Sequence, residues 1–164
     1  MAYGDVDSTA DEKRMLEGWL DFHRATLERK AEGLDPGQMK RQSVPPSNLT
    51  MVGLVRHLAE VERHWFQRAL MGEQIKPLYS SKDAAFTDLA DADPVADFAA
   101  WYAEVKKSRE IVAGIDDLNT LAKYPKLDGP TNLRWILVHM IEEYARHNGH
   151  ADLIREAIDG KTGL

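Results

Sequence analysis

Four side chains that can bind metal or move protons crowd into the stretch Val138 to His150, VHMIEEYARHNGH: His139, Glu143, His147 and His150. Helical winding advances about 100° per residue, so a step of four rotates by only about 40° and climbs about 6 Å. Glu143 and His147 then project from one face, one above the other, and can grip a single ion from successive turns. His139 precedes them on the same stripe, and His150 returns almost to the azimuth of Glu143. Imidazole nitrogens beside a carboxylate suit a zinc- or nickel-type divalent cation. A solvated, ion-paired helix face uses the same residues, so spacing alone leaves both readings open.

Composition narrows the chemistry. The 164 residues include no cysteine, which excludes disulfides, thiolate ligands and a cysteine nucleophile. A metal must therefore rest on His, Asp and Glu. The formal charge is −6, and the basic residues are scattered. Nucleic acid and anionic membranes are not expected partners, because each calls for a concentrated positive surface. At 43% hydrophobic, the chain has enough apolar residues to fold, and no run approaches a membrane span. The opening MAYGDVDSTADEKR is acidic and lacks an apolar signal core, so the expected location is cytoplasmic. The length fits one domain, residues 1–164.

Helices must position these groups. Thr9 and Glu12 have capping-box spacing and open a first helix, along which Leu16, Leu20, His23 and Leu27 recur. His23 lies among apolar positions and reads as a hydrogen-bonded core or pocket residue. The first helix fades near Gly33, before the turn signal Asp35-Pro36-Gly37. Ser47, Asn48 or Thr50 caps a second helix that runs to about Gly72. His57 and His64 lie seven residues apart in it, about 10 Å along the axis, so at most one of them reaches a given ion. No helical pattern is sustained from Glu73 to Asp93, and a connection that long crosses a bundle or covers a site.

Asp93-Pro94 starts a third helix, with Val95, Phe98, Ala99, Tyr102 and Val105 as its expected buried stripe, continued by Val112 and Ile115. The fourth helix runs from about Thr131 to Ile158 and stops at Gly160. Each helix carries one tryptophan (Trp19, Trp65, Trp101, Trp135), read as core or boundary aromatics. Gly149 inside the fourth helix suggests close helix approach or room near the site. The fold class is all-α, a four-helix bundle.

Two segments resemble a known family. SNLTMVGLVRHLAEVERHWF, Ser47 to Phe66, looks like the second helix of the DinB-like metalloenzyme superfamily. WILVHMIEEYARHNGHADLIREAIDG, Trp135 to Gly160, resembles the fourth helix of its actinobacterial-type branch. The resemblance implies an up-down-down-up bundle, which would account for the long second connection. Many members hold a metal by one histidine of the second helix and two histidines spaced by four on the fourth. Here His57 and His147 match, while Glu143 replaces the remaining histidine, a set similar to that of mycothiol-dependent maleylpyruvate isomerases. The resemblance thus implies a divalent metal, zinc or nickel, on His57, Glu143 and His147. His150 and Arg146 are expected in the pocket around it, Arg146 alternatively in a surface ion pair.

The expected activity is a metal-dependent S-transferase or isomerase that joins a mycothiol-type thiol to a small-molecule electrophile. A metal-dependent hydrolase and a non-enzymatic helical interaction protein are the other readings. A homodimer is also expected, because related bundles often pair.

Overall fold

A computed structural model describes residues 6–81, 83–90, 92–124 and 129–163. Four long helices build it: α1 (Glu12–Ala31), α3 (Met51–Glu62) continued by a π-helical segment (Arg63–Leu70), α5 (Pro94–Ala113) and α6 (Leu133–Asp159). Two single-turn helices, α2 (Pro36–Met39) and α4 (Ala84–Thr87), sit in the connections. Aliphatic and aromatic residues from all four long helices, among them Leu20, Leu58, Trp101 and Met140, share one core. A second cluster, including Met51, Leu54, Ala151 and Ile154, closes one end.

Named contacts fix the direction of the four long helices. Arg134 at the start of α6 reaches Glu12 at the start of α1 at 2.6 Å, and Arg155 near the end of α6 reaches the Lys30 and Glu32 carbonyls at 2.9 and 2.7 Å. These two helices run parallel, and Arg155 satisfies carbonyls at the C-terminal end of α1 that have no helical partner. Arg56 approaches Asp97, and Arg63 and Gln67 bond Glu104, so α3 and α5 are also parallel. Trp65 meets Trp135 while His57 meets His147, so α3 opposes α6. The order is up-down-down-up, as the resemblance implied. A parallel neighbour obliges the chain to return a full helix length, about 30 Å. That is why residues 71–93 form so long a connection.

Local details depart from the sequence reading in four places. Asp11, not Thr9, caps α1 by accepting from the Arg14 N–H, while Thr9 bonds the Asp7 carboxylate. Glu12 is drawn to Arg134 instead of closing a capping box. Asp35-Pro36-Gly37 opens the short α2, with the capping box formed there by Asp35 and Gln38. In α5 the inward stripe is Trp101, Glu104, Val105, Ser108 and Val112, whereas Val95, Ala99 and Tyr102 face outward. Of the expected stripe, Val105 is buried and Phe98 packs on the core, but Glu104 and Ser108 are polar, so an apolar-period reading passed over them and took in the outward residues instead. Finally, a Cβ added at Gly149 would meet nothing within 4 Å, so no close approach among the described residues calls for this glycine. Thr50 does cap α3, and Gly160 ends α6 at φ 75°.

Candidate metal centre and its cavity

On α6 the buried stripe runs Ile136, Leu137, Met140, Tyr144, His147, Asn148, Ala151, Ile154. His147 therefore occupies a core-facing position, held there by apolar neighbours one turn away on either side. Glu143 lies one turn before it at the margin of the stripe, half-buried. On antiparallel α3, His57 flanks buried Leu58, and its ring comes within 4.6 Å of the His147 ring. The Nε2 atoms of His57 and His147 lie 3.6 and 3.5 Å from the same oxygen, Glu143 Oε2. Ligand atoms of the three residues all lie within 4.8 Å of one another.

These separations exceed the usual span of an N–H···O bond. They are close to the roughly 3.3 Å edge of a tetrahedron built from metal–ligand bonds of about 2.0–2.1 Å. Two imidazoles and a carboxylate are a fitting donor set for a divalent cation, and three donors leave a position free for substrate. Electrostatics agree. The neighbouring His147 and His57, with a smaller contribution from His139, hold the Glu143 carboxyl well below the usual glutamate range despite its burial.

The other candidates take supporting places. His150 is outside the three-donor group, with its Nδ1 3.3 Å from His147 Nδ1. There it can orient the His147 ring from the side away from Glu143, a role that partners of metal-binding histidines commonly fill. Burial and the adjacent His147 and Arg146 lower its pKa. His139 stands 3.5 Å from Glu143 Oε1 through Nε2 and 3.4 Å from Glu142 through Nδ1. His139, Glu142 and Glu143 also form a possible donor group. There, however, the two His139 nitrogens face different carboxylates, and Glu142 is exposed and paired with Arg146 at 2.5 Å. Arg146 itself is 61% exposed and lies in that surface pair. His23 is half-buried under Asn148, whose amide bonds the His23 carbonyl at 3.0 Å.

A cavity of about 480 Å³ opens beside the group, with His57, His139 and Glu143 in its wall. One side is α3 and its π-helical continuation, contributing Glu60, Val61, His64, Trp65 and Arg68. The opposite side is the long 71–93 connection, through Pro77, Tyr79, Ser80, Ser81 and Ala85. His64 thus lines the cavity without joining the three donors, as the seven-residue spacing implied. Trp65, Trp135 and His139 form an aromatic shelf at the rim, with Trp135 stacked on His139 at 4.9 Å. Sequence reasoning missed Arg68, Glu60 and Tyr79. Arg68 and Glu60 carried a signal, since they follow His57 by eleven and three residues on the same polar side. Tyr79 lies in a stretch with no periodicity to read.

The sequence pattern of the mycothiol-S-transferase family matches residues 15–160, nearly the whole of the four helices. The chain belongs to the mycothiol-S-transferase family. That membership bears out the DinB-like resemblance drawn from the second and fourth helices. A conserved protein from Enterococcus faecalis, known from a crystal structure, shares the family member's fold at a TM-score of 0.67 and 14% identity. The similarity covers 93% of this chain and 100% of that one. No curated protein sequence matches the chain. None of the described helices of this mycothiol-S-transferase family member is long and apolar enough to cross a membrane.

Proposed function

We propose that the protein is a divalent-metal-dependent S-transferase that conjugates a low-molecular-weight, mycothiol-type thiol to a small electrophile. The observation that carries this reading is the convergence of His57, Glu143 and His147 beside a ligand-sized cavity whose wall includes His57 and Glu143. His57, Glu143 and His147 would hold the ion, zinc or nickel. When bound, it supplies positive charge that favours the thiolate over the thiol.

The chain's own residues then do three things. Glu143 offsets part of that charge, and the imidazoles of His147 and His57 keep it ionised despite its half burial. The wall from Val61 to Trp65 excludes water from one flank, while Pro77 and Ala85 exclude it from the other. The cavity holds thiol and electrophile together, so that a bimolecular encounter becomes an oriented one. In the transfer, a sulfur–carbon bond forms and the bond from that carbon to its leaving group breaks. The leaving group departs as an anion, and the thiol proton goes to solvent.

The test uses untagged protein. Metal content is measured by elemental analysis, and thiol consumption is followed with mycothiol and an activated alkyl halide. Near one equivalent of metal, with halide-dependent thiol loss in wild type that fails in His57→Ala, is the expected result. Full metal occupancy in His57→Ala would overturn the donor assignment. Metal binding without any thiol consumption would overturn the transferase reading.

A further inference from the structure

Arg68 is the one cationic side chain, other than the histidines, in the wall of the cavity among the described residues. It is not committed to a structural partner. Its recorded ion pair is to Glu60 Oε1 at 3.6 Å, too long for a hydrogen bond, and a third of the side chain is exposed. Buried Arg24 and Arg155 and half-buried Arg63 behave differently. Arg24 gives two 2.8 Å bonds to Glu62, Arg63 gives two to Glu104, and Arg155 is bonded to two carbonyls and Asp159. Glu60 has a separate task, accepting the Leu78 N–H at 2.6 Å and so anchoring the covering connection that forms the facing wall. An arginine turned into a cavity with its fork of N–H donors open is suited to a planar oxyanion, which it can clasp through two parallel bonds.

Position adds to the chemistry. Arg68 follows His57 by eleven residues along one helix, about 16 Å if the whole stretch rose as an α-helix. The Arg68 side chain reaches back along the helix, bringing its guanidinium within 3.6 Å of Glu60, one turn beyond His57, so cation and donor group share one cavity a short substrate's length apart. Between them runs a wall of Val61, His64 and Trp65, apolar and aromatic. Wider π turns begin at Arg63, and such turns recur where a helix is shaped for function.

We infer that Arg68 selects the electrophile: the cavity takes a small aromatic carboxylate, its anionic end on the Arg68 guanidinium and its reactive end toward Glu143. This rests on the transferase reading for the word electrophile, but the binding claim stands separately. Glu60, whose Oε1 lies 3.6 Å from Arg68, works against the anion.

The test measures binding of phenylacetate and its neutral counterpart phenylacetamide to the full-length, metal-replete protein by titration calorimetry. Wild type is expected to prefer phenylacetate by about tenfold or more, a difference typical of one charge-assisted contact. Arg68→Met should erase the preference, and Arg68→Lys should keep part of it. Glu60→Gln, which removes the opposing charge yet retains an acceptor for Leu78, should strengthen phenylacetate alone.

Equal binding of the two probes by wild type would overturn the inference. So would a preference that survives in Arg68→Met, as expected if the carboxylate sat only on the metal. Loss of both probes in Arg68→Met with Glu60→Gln silent would mean a structural role and would also overturn it. An Arg68-dependent preference without thiol conjugation would sink the transferase reading and leave this inference standing. Conjugation of neutral electrophiles without any such preference would do the reverse.

Discussion

At the scale of single residues, Glu143 is the pivot. Its two oxygens face three imidazoles, Oε2 toward His57 and His147 and Oε1 toward His139. Removing one imidazole donor deletes a ligand but leaves the bundle intact, because His57 is only half-buried and the core around it is apolar. His57→Ala should therefore lose bound metal while keeping its far-UV circular dichroism, and equal occupancy in mutant and wild type would contradict this. His150→Ala acts one step removed, by freeing the His147 ring. Metal affinity should fall about 10–100-fold, not vanish, as read by competition with a chelator of known affinity.

Glu60 yields a prediction of opposite sign to the usual acid sensitivity. Burial raises its pKa, so the folded chain keeps a proton that the unfolded chain releases above about pH 4. The stability it contributes is full below that pH and declines as pH rises through the folded pKa. Glu60→Gln should thus gain melting temperature relative to wild type between pH 4 and pH 7. A constant difference across that window would disprove it.

At the scale of elements, two glycines in helices make opposite demands. A Cβ at Gly53 of α3 would lie 2.8 Å from Phe86 Cδ1 and 2.9 Å from the Thr50 hydroxyl that caps the same helix. Gly53 thus lets α4 and the covering connection seat against α3 beside His57, whose ring lies 5.4 Å from Phe86. Gly53→Ala should cost about 1–3 kcal/mol from overpacking, partly offset by about 1 kcal/mol of helix propensity. Gly149 of α6 faces open space, so Gly149→Ala should stabilise by up to about 1 kcal/mol. Urea denaturation of the two variants separates these outcomes. A Gly149→Ala that destabilises would mean that another surface packs on this face of α6.

At the scale of the whole molecule, a buried polar chain ties the four long helices together. Arg24 of α1 gives two bonds to the fully buried Glu62 at the end of α3. Tyr144 of α6 donates to Glu62 at 2.8 Å, and Trp101 of α5 donates to the Tyr144 hydroxyl at 2.8 Å. The neighbouring negative charge and complete burial push the Tyr144 hydroxyl well above its ordinary pKa, so it stays a donor. Each member satisfies the next, and removing one strands a buried charge. Arg24→Met should destabilise by about 3–5 kcal/mol. Arg24→Met combined with Glu62→Met should cost less than the two single changes added. Additive losses would show that the pair is not coupled. Held at the centre of the bundle, this chain also fixes Tyr144, next in sequence to Glu143, and hence the register of α6 behind the metal centre.

Much of this was legible in the chain itself. Helix content, the caps at Thr50, Asp93 and Gly160, and the pairing of Glu143 with His147 follow from local winding, which obeys a period that sequence displays directly. Resemblance in the second and fourth helices supplied helix order and His57 as a partner. Periodicity found Val105 and Val112 of α5 but missed the rest of its buried face, because it counts apolar side chains while Glu104 and Ser108 are buried through polar partners or simple enclosure. The π turns after Glu62 and the seating of Arg68, Glu60 and Tyr79 around one cavity were decided only by tertiary structure. Their positions depend on how α3 meets a connection without period, and contacts between segments far apart in sequence leave no local trace.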